Sequence, residues 1–506
     1  MPPRILESYG NVKIMEGEIG QIPLYISLPP ELSESEKKIL RESRNLIGNY
    51  KDITQELEKI HSSQGKEEFL SNYLKNRIEG KDIRPENSDY ILSTIMDEIF
   101  LGYGKIGPLM HDENLEEIMV NGINTPVFVV HRTHGMCTTN LSFDNYDHIN
   151  DIVNWLSHYA GREINEQNPL LDAHMPDGSR ANVAIAPAAP YGPALTIRKF
   201  KRTPYNIVDL VALGSVSSDL AAFLWICVEG FGLAPMDMLI AGGAGSGKTT
   251  LLNALAMFIP KTERIVTVED TLELNFEFIE NWVPLEASPT TAETVKSLTM
   301  HNLLKNSLRM RPDRVIVGEV RGKEAETLFV AMDIGLDGSM CTLHANNARE
   351  TTIRLMSEPM NLPIRMIPLL NIIVVMNRIF DRKKGMIRRV TQVAEVSGVE
   401  RDVVQLGDIY LYDLNADTIK RTDYPIMLIE KIAEKCGITK KRLNTELFIR
   451  EKVIQYMVSK GISENTDVLN FIQKYHQDPK LILPEIRESK DYEYVSEEQK
   501  SQKPKQ

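Results

Sequence analysis

The feature of this 506-residue sequence that most constrains its fold is a glycine-rich octapeptide that begins at Gly242. Four residues separate Gly242 from Gly247, and Lys248 and Thr249 follow directly. This spacing is the Walker A pattern, in which glycines let the backbone wrap around phosphate oxygens and the N–H groups at a helix start point at them. An apolar segment precedes the octapeptide, and a segment with helical periodicity follows it. We therefore predict a strand, a phosphate-binding loop and a helix, in that order.

The same pattern indicates how the phosphates of a nucleoside triphosphate would be bound. Lys248 would reach the β- and γ-phosphates, and the Thr249 hydroxyl would coordinate Mg²⁺. A dinucleotide-binding turn also has glycines and a later acid, but the adjacent lysine and threonine have no role in that motif. The predicted nucleotide-binding residues are Gly242, Gly245, Ser246, Gly247, Lys248, Thr249 and Thr250.

Acidic residues follow two later apolar segments. Residues 265–268 run into Glu269, and Glu273 follows four residues later. Residues 314–318 run into Glu319, where the usual Walker B pattern has aspartate. Carboxylates at the ends of neighbouring parallel strands could hold Mg²⁺ and polarise the attacking water. Solvated loop positions are the alternative interpretation. Which carboxylate acts as the base stays open at this point.

A histidine ends a third apolar segment. His344 follows residues 340–343 and could sense the γ-phosphate by hydrogen bonding. A buried core histidine with satisfied ring nitrogens is the simpler alternative.

Patterning divides the chain into several segments. After residue 236, strand patterns at 238–241, 265–268, 315–317 and 340–343 alternate with helical patterns, which predicts a parallel sheet with right-handed crossovers. Strand patterns at 372–376, 388–396 and 409–412 suggest one edge of that sheet. The predicted segments are an N-terminal extension (1–50), a smaller α/β N-terminal domain (51–205), a helical connector (206–236), a P-loop core (237–425), a C-terminal helical region (426–486) and a disordered, polar tail (487–506).

The composition limits the cellular compartment and the classes of partner that we expect for this protein. The net charge of −12 disfavours nucleic acid, and the four cysteines are far apart without a C-x-x-C pair, which favours a reduced, intracellular setting. The N-terminus lacks a signal-peptide layout, and no apolar run reaches the roughly 20 residues of a bilayer span. Any membrane role should therefore pass through a partner. The His131-x-x-His134-x-x-Cys137 spacing lacks a fourth ligand and spans a turn, so we expect no metal there.

Four short sequence motifs, which we call boxes, together resemble those of the type II/type IV secretion ATPase superfamily. This superfamily includes secretion, pilus and conjugation motors. The boxes occur in the order of that family. Further segments resemble the archaeal branch that drives the archaellum and related pili, and the four-cysteine zinc insert of bacterial secretion members is missing. The boxes are residues 242–249, 269–273, 309–322 and 342–345, and the archaeal segments are 281–284, 377–396 and 404–410.

The resemblance implies a RecA-like core in a hexameric ring of two-domain subunits, with ATP and Mg²⁺ between the N-terminal domain and the core. By position, Glu273 matches the catalytic acid-box glutamate, Glu319 the Walker B glutamate and His344 the histidine-box residue. Arginines of the N-terminal domain would supply the charge-neutralising fingers. The candidate catalytic residues are Glu269, Glu273, Glu319, His344, Arg180 and Arg198, and the candidate magnesium ligands are Thr249 and Glu319.

The sequence thus predicts a cytoplasmic ATP-hydrolysing motor that powers assembly or rotation of a type IV pilus-like filament, with the archaellum favoured. Pilus assembly and type II/IV protein secretion remain alternatives within the family. The expected partners are further copies of the chain, a polytopic membrane platform protein and other cytoplasmic components of the filament machine. Two alternatives belong to other classes: a nucleic-acid motor on the same core, which would show DNA-stimulated turnover, and a nucleotide-binding scaffold without turnover.

Overall fold

A computed structural model of the chain forms two compact units, Met1–Arg202 and Thr203–Gln506. The structure describes residues 4–17, 21–43, 63–199, 204–287, 298–381 and 385–487. The predicted disordered tail lies outside the described residues, apart from its first residue, and so do parts of the predicted N-terminal extension.

The first unit is built on one nine-stranded sheet in the order β1-β2-β3-β6-β5-β4-β9-β8-β7. All neighbouring strands pair antiparallel except β3 and β6, which pair in parallel. The strands are β1 (Ile5–Tyr9), β2 (Val12–Met15), β3 (Leu24–Ser27), β4 (Leu115–Asn121), β5 (Pro126–His131), β6 (Gly135–Ser142), β7 (Leu170–His174), β8 (Arg180–Ala184) and β9 (Ala194–Arg198). The helices are α1 (Glu34–Arg41), α2 (Ser63–Ile78), α3 (Ser88–Ile99), α4 (Gly107–His111) and α5 (Tyr146–Ala160).

The start of the chain belongs to this sheet rather than forming a separate extension. Leu24 and Tyr25 of β3 pair with Thr138 and Thr139 of β6. The Tyr25 side chain is fully buried, and its hydroxyl donates a 2.6 Å hydrogen bond to Asp112. The prediction of an N-terminal extension missed this pairing, because strand partners distant in sequence are not visible in a local pattern.

The second unit contains another nine-stranded sheet, in the order β12-β11-β13-β14-β10-β15-β16-β17-β18. It is parallel from β12 to β15 and antiparallel from β15 to β18. The strands are β10 (Met238–Gly242), β11 (Ile265–Glu269), β12 (Trp282–Glu286), β13 (Arg314–Val317), β14 (Met340–Leu343), β15 (Ile372–Asp381), β16 (Gly385–Glu400), β17 (Val403–Asp413) and β18 (Thr418–Arg421).

Helices surround this sheet. They are α6 (Ile207–Ala212), α7 (Ser218–Glu229), α8 (Lys248–Ala256), α9 (Met300–Ser307), α10 (Glu324–Asp333), α11 (Ala348–Met356), α12 (Met427–Lys435), α13 (Lys440–Ser459), α14 (Asn465–Gln477) and α15 (Leu483–Arg487). The predicted alternation of parallel strands and helices is confirmed for this unit, because each predicted strand segment falls within an observed strand.

The central strands are mostly apolar and are buried along their whole length, because both faces of the sheet are covered. Every residue of β10, β11, β13 and β14 is buried. Successive side chains point to opposite faces, so Met238 and Ile240 pack into one apolar core while Leu239 and Ala241 pack into the other. Two cores thus hold β10 in place, and the loop that follows it starts from a fixed point.

Residues 206–236 lie inside the second unit, which differs from the predicted helical connector. Every residue of α7 from Leu220 to Glu229 is buried. The helix packs against α13, where the buried Arg450 guanidinium lies 5.1 Å from the ring of Trp225 and forms an ion pair with Glu229. Trp225 Nε1 also donates a 2.8 Å hydrogen bond to His476 Nε2 of α14. The C-terminal helices and α7 therefore share one core with the sheet.

Among the described residues, the helices are all too short or too polar to cross a bilayer.

Candidate nucleotide-binding site

The glycine-rich octapeptide forms the predicted strand–loop–helix. β10 ends at Gly242, and α8 begins at Lys248. Gly245 and Gly247 have φ values of 66° and 98°, the left-handed region that side chains with a Cβ disfavour. A Cβ on Gly242 would lie 2.4 Å from both Met376 O and Ser246 Oγ. The glycines are thus required by backbone conformation and by close approach, as a loop that wraps around phosphates needs.

The loop lysine points toward the neighbouring strand β14. Lys248 is largely buried, and its Nζ donates a 3.1 Å hydrogen bond to Gly243 O. The same Nζ lies 3.4 Å from His344 Nδ1. The ammonium group therefore lies between the phosphate loop and the end of β14.

Glu319 and His344 form a pair at the ends of β13 and β14. Oε1 of Glu319 lies 2.7 Å from Nε2 of His344, and its Oε2 accepts a hydrogen bond from Arg321. Burial, followed by the nearby Lys248 charge, lowers the pKa of His344 below its ordinary value. Nδ1 faces the Lys248 ammonium group and Nε2 faces the Glu319 carboxylate, so the imidazole ring lies directly between the two side chains. The His344 ring thus links the loop lysine to Glu319, the predicted Walker B glutamate.

Glu273 lies on the other side of the helix start. Its Oε2 accepts a 3.2 Å hydrogen bond from the Thr249 hydroxyl, the predicted magnesium ligand. Two oxygens held together in this way are the hard ligands that Mg²⁺ prefers. The donor set therefore fits the ion, with Thr249 and Glu273 as residues that could hold it. Glu319, the other predicted magnesium ligand, contacts His344 and Arg321 here, and its role toward Mg²⁺ stays a prediction.

Glu269 is turned inward, unlike the other acids. Its side chain is 2% exposed, and its Oε2 accepts hydrogen bonds from the N–H groups of Glu273 (2.8 Å) and Leu274 (3.0 Å). Burial raises the pKa of Glu269 to about 8. A Cβ on Gly318 would lie 2.8 Å from Glu269 Cγ, so the glycine before Glu319 leaves room for this carboxyl group. Glu269 thus holds the acid-box turn that presents Glu273.

The two candidate finger arginines lie in the first unit. Arg180 on β8 and Arg198 on β9 are directly opposite each other in the antiparallel register, and both are exposed. Arg180 also forms an ion pair with Asp172, with Nε 2.8 Å from Oδ1. A role toward a nucleotide remains a prediction for both residues.

The histidine spacing discounted as a metal site does bring ligand-type side chains together. Glu7, His131 and His134 offer ligand atoms within 4.8 Å of one another. However, Nδ1 of His131 accepts backbone N–H groups from Thr133 (3.2 Å) and His134 (3.3 Å), so the neutral ring carries its proton on Nε2, which lies 3.2 Å from the Tyr9 hydroxyl. Hydrogen bonds account for both ring nitrogens of His131, and this cluster links β1 to the end of β5.

Two arginines next to the phosphate loop were missed by the sequence reasoning. Arg388 Nε donates a 2.9 Å hydrogen bond to Gly245 O, and Arg378 lies opposite Arg388 on the neighbouring strand. The strand patterns were recognised, but their place in the sheet was predicted only as an edge. The strands β15 to β18 do form one edge of the sheet, and β15 is the one that lies directly beside β10. No local signal gives that neighbour, although an apolar strand ending in a basic residue is compatible with it.

Comparison with known proteins decides the family. A family model described as "Type II/IV secretion system protein" matches residues 102–404, which is more than half of the chain. The chain belongs to the type II/IV secretion ATPase superfamily. This confirms the resemblance drawn from the four boxes.

Several relatives of this secretion ATPase are known by sequence. Uncharacterized protein MJ0900 of Methanocaldococcus jannaschii is 30% identical over 90% of this chain and 85% of its own length. Uncharacterized protein MJ0781 of the same organism is 40% identical over 66% of this chain, but the match spans only 46% of that relative. Protein VirB11 of Agrobacterium fabrum is 33% identical over 40% of this chain and 65% of its own length. The family therefore reaches across archaeal and bacterial proteins.

Proposed function

We propose that this secretion ATPase hydrolyses ATP in a Mg²⁺-dependent reaction and converts the hydrolysis into mechanical work on a type IV pilus-like filament. The observation that carries the proposal is the continuous set of contacts around the phosphate loop, from Glu319 through His344 to Lys248. Thr249 and Glu273 complete it on the other side of the loop. A loop of this kind, with a cation, a hydroxyl and carboxylates around it, has the parts that phosphoryl transfer to water requires.

Each residue has a distinct role in this mechanism. Lys248 binds the β- and γ-phosphates and stabilises the charge that develops on the transferred group. Mg²⁺, when bound, neutralises phosphate charge. Because Glu273 shares the Thr249 hydroxyl, we assign it to the magnesium side. Glu319, whose Oε1 lies 2.7 Å from His344 Nε2, is then the carboxylate that orients and deprotonates the attacking water. His344 holds Glu319 in position and senses the γ-phosphate by hydrogen bonding.

The finer assignments rest on the family resemblance. They are a RecA-like core, a hexameric ring, finger roles for Arg180 and Arg198, and action at the cytoplasmic side of the membrane through a polytopic platform protein. The archaellum is the favoured filament because residues 281–284, 377–396 and 404–410 resemble that branch. Deletion of the gene should abolish swimming if this holds. Loss of surface adhesion with normal swimming would instead favour a pilus motor.

Steady-state hydrolysis of Mg·ATP by the full chain tests the central proposal. Lys248→Ala should abolish turnover, because the loop loses its phosphate-binding cation. Lys420→Ala is the matched control, since it removes an exposed lysine that pairs with Asp413 on the far edge of the sheet. Turnover by Lys248→Ala at the rate of the parent would refute the site assignment.

The same assay separates the alternatives. A nucleic-acid motor predicts that DNA stimulates turnover and that salt suppresses the stimulation. The net charge of −12 argues against it. A scaffold predicts tight ATP binding by the parent chain without release of phosphate. Glu319→Gln and Glu273→Gln then distinguish the acids: the first should lower kcat with ATP still bound, and the second should raise the Mg²⁺ concentration needed for half-maximal rate.

A further inference from the structure

The hairpin formed by β15 and β16 runs alongside the phosphate loop. β15 pairs in parallel with β10 until Gly242 lies opposite Met376, and β15 then continues to Asp381. β16 returns antiparallel, which puts Arg388 directly opposite Arg378. The hairpin therefore extends past the end of β10, at the level where the chain leaves the sheet as the loop.

Both arginines lie on the face of the hairpin that meets this loop. Residues directly opposite in an antiparallel pair share one face, and like charges in that position repel each other. Arg388 Nε donates its 2.9 Å hydrogen bond to Gly245 O. Nη1 of Arg378 lies 3.6 Å from the point where a Cβ of Gly245 would be. Two guanidinium groups thus lie against the same backbone turn, where both could reach an anion bound at that turn.

The side chain of Arg388 also covers the last glycine of the loop. A Cβ on Gly247 would lie 3.6 Å from Arg388 Cδ and 3.4 Å from Met376 Cε. Gly247 is the N-cap residue of α8, and the backbone N–H groups at a helix start attract anions. The arginine stem therefore packs on the residue that immediately precedes the nest of N–H groups.

The sheet order tells which part of a nucleotide these arginines face. β14 and β13, which end at His344 and Glu319, lie on one side of β10, while β15 and β16 lie on the other. Lys248 Nζ points to the β14 side, 3.4 Å from His344 Nδ1. The γ-phosphate end of the site is therefore the β14 side, and the hairpin arginines approach the phosphate chain from the opposite side.

We infer that Arg378 and Arg388 bind the α- and β-phosphates of the nucleotide, so that they set the affinity for ADP as well as for ATP; this rests on the proposed function. Arginine is suited to the role because its planar fork makes paired, charge-assisted hydrogen bonds to phosphate oxygens. The α- and β-phosphates are retained when the γ-phosphate is cleaved. Contacts to them stabilise the bound ground state and the transition state alike, which affects KM and ADP affinity more than kcat.

The experiment uses the full chain, with Mg·ADP binding measured by titration calorimetry and Mg·ATP hydrolysis measured at steady state. Arg378→Gln and Arg388→Gln should each raise the Kd for ADP and the KM for ATP about tenfold, the usual scale for losing a hydrogen bond to a charged group. kcat should change far less than KM. Arg378→Lys, which keeps the charge but loses the fork, should give an intermediate KM. Arg401→Gln, which removes an exposed arginine at the turn between β16 and β17, is the control and should match the parent.

Each result bears on the inference. Unchanged Kd and KM in both glutamine variants, with a parent that binds ADP and hydrolyses ATP, would overturn the phosphate assignment and leave the proposed function intact. A fall in kcat at unchanged Kd would also overturn it, because the arginines would then act only in the transition state. Arg388→Gln removes a hydrogen bond to the loop as well as a charge, and this variant could misfold for that reason. In that case the Arg378 variants alone test the inference. A parent chain that binds no Mg·ADP would refute both proposals together.

Discussion

Replacing Glu269 by glutamine should flatten the pH dependence of the second unit's stability. The carboxyl group is buried under the acid-box turn, and burial raises its pKa from 4.5 to about 8. Between these values the folded chain holds a proton that the unfolded chain has released. The unfolded state then binds fewer protons, so the free energy of unfolding falls as the pH rises.

The size of the effect follows from the same pKa. One pKa unit corresponds to about 1.4 kcal/mol, so Glu269 alone should cost the parent about 3 kcal/mol of stability between pH 5 and pH 7.5. Glutamine has no proton to release, and its amide oxygen can still accept the N–H groups of Glu273 and Leu274. The parent should therefore lose stability relative to the Glu269→Gln variant as the pH rises.

Urea unfolding followed by tryptophan fluorescence measures this difference. A Trp155→Phe background leaves Trp225 and Trp282, which are both in the second unit, as the reporters. Glu277→Gln, at an exposed acid of the same turn region, is the control and should leave the pH dependence as it is. If parent and Glu269→Gln differ by the same free energy at pH 5 and pH 7.5, the buried carboxyl does not retain its proton and the reasoning fails.

Two further predictions follow from buried contacts. Gly318→Ala should lower ATP turnover strongly and destabilise the second unit by about 1–3 kcal/mol, because its Cβ would lie 2.8 Å from Glu269 Cγ and displace the acid-box turn. Adding Glu269→Ala should recover stability but not turnover. A Gly318→Ala enzyme with normal kcat would show that the turn tolerates the methyl group. Arg450→Met should cost about 3–5 kcal/mol in urea unfolding, since it leaves Glu229 buried without its partner; the double variant with Glu229→Gln should be more stable than Arg450→Met alone, and additive losses would contradict the ion-pair argument.

The phosphate loop could be predicted from sequence because its chemistry is complete within eight consecutive residues. The acids and His344 could be predicted because parallel strands end at one edge of a sheet, so residues just after each strand meet there. That argument used strand order only in a general way. It placed Glu269, Glu273 and Glu319 together but could not tell that Glu269 turns inward, which depends on the space left by Gly318.

The parts that sequence could not supply depend on partners that are distant along the chain. Arg378 reaches the loop only because β15 is the neighbour of β10. Likewise the apolar run of α7 shows that the helix is buried but not what buries it, and its partner Arg450 lies more than 200 residues later. Hydrophobic periodicity indicates how much of a helix or strand is buried, but only the fold shows which element packs against it.

The packing of Trp225 has a practical consequence for anyone shortening this protein. A fragment trimmed to the family boundaries, residues 102–404, would keep every motif of the phosphate loop and still lose α13 and α14. The indole of Trp225, now in contact with Arg450 and His476, would face water, and the apolar flank of α7 would become a site for aggregation. The smallest fragment worth expressing therefore extends through residue 487, well beyond the last recognisable motif.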